Sequence, residues 1–125
     1  MNLGTRNNNW LNIRYNPHNK WKGQTGEDSG FCVFDTVGHG LRAGRIIIEN
    51  YLKEGFDLVG DIIARWAPPT ENLTDNYVNN VCSWTGYDKH EKILIGEVPF
   101  LIKAMVRQET GNVVSDELMT EMEER

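Results

Sequence analysis

The stretch Val98–Asn112, VPFLIKAMVRQETGN, decides the fold. It reads as a helix. Pro99 sits in the first turn, where its missing N–H costs nothing, and Gly111 sits where a left-handed C-terminal cap belongs. Val98, Leu101, Ile102, Met105 and Val106 repeat at i, i+3, i+4, i+7 spacing, so the helix has one buried face. The next position on that stripe is Glu109. A carboxylate therefore stands where the pattern asks for an apolar side chain, in the last helical turn. Partial desolvation and the negative end of the helix dipole both disfavour its charged form, and a proton-donating Glu needs such surroundings. The alternative is a solvated glutamate at a helix end, paired with Arg107 or Arg125.

The rest of the chain supplies partners for that buried face. After Asp35-Thr36 the period turns helical. Val37, Leu41, Ile47, Ile48, Tyr51 and Leu52 make one face, with Gly40 and Gly44 on the same side to let another helix approach closely. Gly55 ends this helix. Leu58, Val59, Ile62, Ile63 and Trp66 form the next, with Asp57 as N-cap and Pro68-Pro69 as its stop. A third starts at Asn72 or Thr74 and runs to about Trp84, turning Tyr77, Val78, Val81 and Cys82 inward. Residues 85–96 are a loop with at most one helical turn. Ser115-Asp116-Glu117 caps a short acidic tail helix.

Residues 1–30 are polar and turn-rich, with turn chemistry at Asn16-Pro17 and across Gly23–Gly30. Phe31-Cys32-Val33-Phe34 is the strongest strand in the sequence, and residues 11–15, where Ile13 and Tyr15 alternate with polar residues, are its expected hairpin partner. The fold class is mainly α, with a small β-hairpin, in a single domain over 1–125. Residues 1–35 form the polar segment with the hairpin, 36–112 the helical core and 113–125 the acidic tail.

Composition narrows function by exclusion. With 125 residues the chain can bury a core without staples, and 39% hydrophobic and 25% charged residues are ordinary for a globular domain. A formal net charge of −5 argues against duplex nucleic acid as partner. No apolar run approaches a membrane span, so no membrane insertion is expected. The N-terminus lacks the apolar core of a signal peptide, so the chain is expected to be made in the cytoplasm and to reach any outside target by another route. His18, His39 and His90 have no mutual ligand spacing, and no metal or other cofactor is expected. Cys32 and Cys82 lack both metal spacing and a paired base, so buried thiols and one disulfide are both open. What remains is an amide- and aromatic-rich N-terminal third (Asn8, Asn9, Trp10, Tyr15, Trp21), Tyr77 and Glu109. Amides bond hydroxyls and N-acetyl groups, and aromatic faces pack on sugar rings, so these residue types suit carbohydrate.

Three segments resemble the lysozyme-like superfamily of peptidoglycan-cleaving enzymes, specifically bacterial glucosaminidases and soluble lytic transglycosylases. Asn8-Asn9-Trp10-Leu11-Asn12-Ile13-Arg14, then Trp21-Lys22-Gly23 and Phe31–Asp35, resembles the glucosaminidase stretch beginning Asn-Asn-Leu-Phe-Gly-Ile-Lys. Asp75-Asn76-Tyr77-Val78 resembles the helix start that carries the active-site tyrosine. Ala104-Met105-Val106-Arg107-Gln108-Glu109-Thr110-Gly111 resembles the catalytic helix Ala-x-x-x-x-Glu-Ser-Gly. Together they cover roughly residues 7–111. In those families the catalytic helix precedes the Asn-Asn segment, whereas here Glu109 comes late, so the resemblance implies a circular permutation. The chain is also similar to small phage and prophage virion proteins containing Arg-Asn-Asn-Asn-Pro-Gly-Asn-Ile-Arg-Tyr, with Trp10-Leu11 in place of Pro-Gly.

The resemblance implies a compact lysozyme-like domain acting on peptidoglycan glycan strands. Glu109 would protonate the glycosidic oxygen, and Tyr77 would position the sugar or stabilise the oxocarbenium-like transition state. Asn8, Asn9, Trp10 and Asn12 would line the cleft. No second carboxylate stands out among Glu71, Asp75, Glu27 and Asp28, which leans towards a lytic transglycosylase. The expected route to the cell wall is virion delivery or release by a lysis cassette, with other virion or lysis proteins as partners. The alternative is a non-catalytic virion or cell-wall-binding protein that retains the fold.

Overall fold

The structure is a computed structural model that describes residues 1–67 and 71–124. In chain order the elements are α1 (Leu3–Arg6), β1 (Gln24–Asp28), β2 (Phe31–Phe34), α2 (Val37–Lys53), α3 (Val59–Trp66), α4 (Glu71–Thr85), α5 (Val98–Thr110) and α6 (Asp116–Glu123), with a 3₁₀ turn at Ile95–Glu97. The molecule is mainly helical with one antiparallel hairpin. No helix among the described residues is long and apolar enough to cross a membrane.

The helix over 98–110 is the centre of the core. Pro99 lies in its first turn and Gly111 closes it at φ 75°. Val98, Leu101, Ile102, Met105 and Val106 are all buried, and α5 packs on α2 and α4. Each remaining helix has a local reason to start where it does. The Thr36 hydroxyl accepts from His39 N at the head of α2, and Ser115 accepts from Leu118 N at the head of α6. On α4, Tyr77, Val78 and Val81 are buried and Cys82 is half-buried. Both cysteines are free thiols.

The start of α3 differs from the expected one. Leu58, not Asp57, is the N-cap, with no side-chain cap. The backbone of the 89–93 loop does the capping: Val59 N donates to Glu91 O at 3.0 Å and Gly60 N to Lys89 O at 2.8 Å. Those first-turn N–H groups therefore need no carboxylate, and Asp57 instead lies 3.7 Å from Lys92 Nζ. The Pro68-Pro69 stop and the Arg125 pairing lie outside the described residues.

β2 has a backbone neighbour on each edge, and its hairpin partner is a stretch the sequence reading did not name. β2 pairs with β1, residues 24–28, through register pairs such as Asp28↔Phe31. Ser29 and Gly30 both have positive φ, 54° and 89°, which suits the right-handed twist of a two-residue hairpin turn. Residues 13–15, within the expected partner stretch, pair antiparallel along the other edge of β2. Cys32 N donates to Ile13 O at 3.0 Å, Tyr15 N donates to Gly30 O at 2.8 Å, and Arg14 forms a single bridge with Phe31.

The glycines of α2 admit a loop and not a helix. A Cβ at Gly40 would collide with the Asn8 carbonyl, and one at Gly44 with the Leu11 side chain. Polar residues 7–12 can therefore lie against α2. The fastening is Asn9, only 1% exposed. Its Nδ2 donates to Ile13 O and Cys32 O, both at 3.0 Å, and its Oδ1 accepts from Ile13 N at 2.9 Å. Short helix α1, capped by Asn2 through Thr5 N, has too few residues to show a period and was not expected from the sequence.

Replacing Asn9 with alanine strands the Ile13 N–H and the Cys32 carbonyl, while the Ile13 carbonyl keeps Cys32 N as its donor. Asn9→Ala is expected to lower stability by about 2–4 kcal/mol, read as a shift in the denaturant midpoint at unchanged slope, whereas Asn79→Ala on the exposed side of α4 is expected to shift it by less than ~0.5 kcal/mol.

Candidate functional site

Glu109 is half-buried in the last turn of α5, and three stretches of chain meet at its carboxylate. Oε1 accepts from Asn12 Nδ2 at 3.0 Å. Oε2 accepts from the Tyr77 hydroxyl of α4 at 3.0 Å and from the Trp66 indole N–H, at the end of α3, at 3.2 Å. Each donor arrives for a local reason. Tyr77 is on the buried face of α4, one helical position from Val78 and four from Val81. Trp66 is the last residue of α3 and lies four residues beyond buried Ile62. Asn12 sits at φ 53°, a left-handed conformation that asparagine tolerates, and this turns its amide towards α5.

The expected site residues divide into two groups. Glu109, Tyr77 and Asn12 come together. Asn8 does not reach the cluster: its Nδ2 donates to Phe34 O at 3.1 Å and Asp35 O at 3.2 Å. Asn9 is buried with its amide committed to the backbone of residues 13 and 32, so it cannot line a cleft. Trp10 is packed against the core, and its carbonyl accepts from the Thr110 hydroxyl at 3.0 Å. These residues hold the loop in place because buried backbone groups need partners. The site residue missed by sequence reading is Trp66, which reads as a core position on its stripe. The one signal for it is chemical: a buried indole N–H wants an acceptor.

The other carboxylates considered lie elsewhere. Asp28 accepts from Arg6 and Asn7, which, with Ser29, hold its carboxyl below the usual range. Glu27 accepts from Gly30 N, and Asp75 is exposed. Among the described residues no second carboxylate bonds into the Glu109 cluster. The Arg107 guanidinium stacks over the Trp84 ring at 4.1 Å, so it is not the partner of Glu109. Beside the cluster a groove of about 230 Å³ opens, lined by Asn12, Ile13, Arg14, Ile47, Tyr51 and Trp66. It shares Asn12 and Trp66 with the carboxylate site. The arrangement can hold a carboxyl group in one orientation at the edge of a partly aromatic groove.

Over 114 residues the chain is 40% identical to Protein P5 of Pseudoalteromonas phage PM2; the match spans 87% of this chain and 71% of the phage protein. No protein-family model matches the chain.

Burial first, and then the adjacent Glu109 charge, push the Tyr77 phenol well above its ordinary range. The folded state therefore keeps this proton after the unfolded chain has lost it. Its contribution is complete below about pH 10, the unfolded value, and declines as pH rises from there towards the folded value. Wild-type stability is expected to fall more steeply above that pH than that of Tyr77→Phe, measured by denaturant midpoints across an alkaline series. Parallel curves would remove Tyr77 as the cause.

Proposed function

Since the chain belongs to the family of Protein P5 of Pseudoalteromonas phage PM2, we propose a phage role for it: cleavage of peptidoglycan glycan strands with Glu109 as general acid and base. The observation that carries this reading is the convergence of Glu109, Tyr77 and Asn12, which are distant in sequence, on one carboxylate beside a groove. These are three of the residues for which the lysozyme-like resemblance implies a site role.

The course of the chain also supports the permuted resemblance. The end of α5 adjoins the N-terminus: Asn2 Nδ2 donates to Thr110 O at 3.0 Å, and Asn112 Nδ2 donates to Thr5 Oγ1 at 2.9 Å. A catalytic helix followed directly by the Asn-rich segment, the order in the enzymes resembled, needs only a short connection across this contact.

One acid suits a lytic transglycosylase. Protonated Glu109 would give its proton to the glycosidic oxygen as the C1–O bond breaks. The sugar's own C6 hydroxyl would then attack C1 and return its proton to the Glu109 carboxylate. No water is consumed and no second carboxylate is required. The Tyr77 hydroxyl and Trp66 indole would hold the carboxyl in aim, and Tyr77 would position the sugar or stabilise the oxocarbenium-like transition state. Delivery with the virion, or release by lysis proteins, would bring the protein to the cell wall.

A second reading has its own observation. Glu109 receives hydrogen bonds from three separate stretches of chain, which is what a structural tie in a non-catalytic virion or wall-binding protein would also show. Digestion of purified sacculi, with mass spectrometry of the released muropeptides, separates the two. The wild type is expected to release anhydro products. Glu109→Gln keeps the size but turns an amide N–H2 towards at least one of the three donors, so it is expected to lose at least ~10²-fold in rate and about 1–3 kcal/mol of stability, the fold being checked by circular dichroism; Tyr77→Phe should lose less activity. Wild-type protein that binds sacculi and releases nothing at any pH supports the non-catalytic reading, and cleavage surviving Glu109→Gln excludes Glu109 as the acid.

A further inference from the structure

We infer that the groove beside Glu109 is a subsite for a carboxylate-bearing sugar unit, with the Arg14 guanidinium as the group that reads the carboxylate. The inference rests on the glycan-cleaving reading and names which part of the strand the groove takes. Tyr51 and Trp66 supply aromatic surface and Ile13 and Ile47 apolar surface, while Asn12 and Arg14 supply the polar groups. Trp66 joins groove to carboxylate: its ring lines the groove and its N–H donates to Glu109. A sugar ring stacked there would lie against the indole whose N–H is bonded to the Glu109 carboxyl.

The cation is what selects the ligand class. Arg14 is placed by its bridge to Phe31, and its guanidinium lies 5.1 Å over the Phe31 ring. It has no acidic partner among the described residues. Arg45 pairs with Glu49 at 2.8 Å, Arg65 pairs with Glu54 at 3.1 Å, and Arg6 pairs with Asp28. In a chain of net charge −5, an unneutralised guanidinium on a residue that lines an aromatic groove favours an anionic guest, and its planar fork matches a carboxylate. The Tyr51 hydroxyl makes no hydrogen bond among the described residues, so it offers a second polar contact in the same groove. A neutral glycan would use the aromatic faces and leave the guanidinium idle. The carboxylate has two sources in peptidoglycan, the lactyl ether of the muramic unit and the stem peptide, and both present the same chemistry.

Binding and cleavage are to be measured separately for wild type and Arg14→Gln. Tryptophan fluorescence follows binding of three ligands: peptide-free peptidoglycan strands with open lactyl carboxylates, strands carrying stem peptides, and uncharged chitin oligomers. Muropeptide release from the first two follows cleavage. Arg14→Gln is expected to weaken binding of a carboxylate-bearing strand, and to raise its KM, about tenfold. Chitin binding and kcat should stay within about twofold. An effect on peptide-free strands assigns the lactyl carboxylate, and an effect confined to peptide-bearing strands assigns the stem. Equal binding of all three ligands by both proteins overturns the subsite. An Arg14-dependent preference in a wild type that cleaves nothing upholds the subsite and overturns the cleavage reading alone. Circular dichroism of the exposed Arg14 variant checks that it is folded.

Discussion

Three neutral donors reach the Glu109 carboxylate from the N-terminal loop, the end of α3 and the buried face of α4. The N-terminal loop and α3 are separated from α5 by other helices, and α4 by residues 86–97. A half-buried carboxylate without partners costs several kcal/mol, and a buried donor without an acceptor costs about 1–3 kcal/mol. Each of the four groups therefore penalises any arrangement in which the other three are absent. The apolar faces of α2, α4 and α5 bring these elements together without choosing their exact relation. The hydrogen bonds at Glu109 select one relation, and they do so beside a groove that shares Asn12 and Trp66 with them.

The N-terminal segment meets the same constraint from the opposite side. It is polar, yet it packs against the core, so its backbone must be satisfied internally. Asn9 does this inside the loop, and Asn8 ties the loop to the end of β2. Asn8 and Asn12 adopt positive φ, 55° and 53°, which turns the chain sharply enough for Asn12 to face α5. Missing side chains at Gly40 and Gly44 leave room for this path. The asparagine run is thus mostly scaffold, with one amide at the site.

The acidic tail adds a second clamp on α2. Met122 of α6 is fully buried, and Arg45 of α2 donates from Nε to the Met122 carbonyl at 2.8 Å. Glu121 lies against Gly38 in the first turn of α2, where a negative charge complements the helix dipole. Core helix α2 is therefore held between the N-terminal loop and α6, and the groove that begins at Ile47 and Tyr51 has a fixed wall.

The amino-acid sequence by itself determined the helical class, the extent of α5 from Pro99 to Gly111, the caps at Thr36 and Ser115, and the inward faces of α2, α4 and α5. All of these follow from short-range periodicity and local hydrogen bonding, which a few neighbouring residues specify. It also marked Glu109 as out of place on an apolar stripe, and Tyr77 as an inward phenol. Only the tertiary structure decided what those groups meet. β2 takes a neighbour on each edge: residues 13–15, which the alternation at 11–15 marked, and β1, which the two-residue turn Ser29-Gly30 joins to it. The cap of α3 was settled by carbonyls of residues 89 and 91, about thirty residues away. Trp66 shows the limit best: periodicity places its ring in the core, but the acceptor for its N–H lies 43 residues on. A hydrogen bond between elements depends on their relative rotation and offset, and those come from the packing of the whole core.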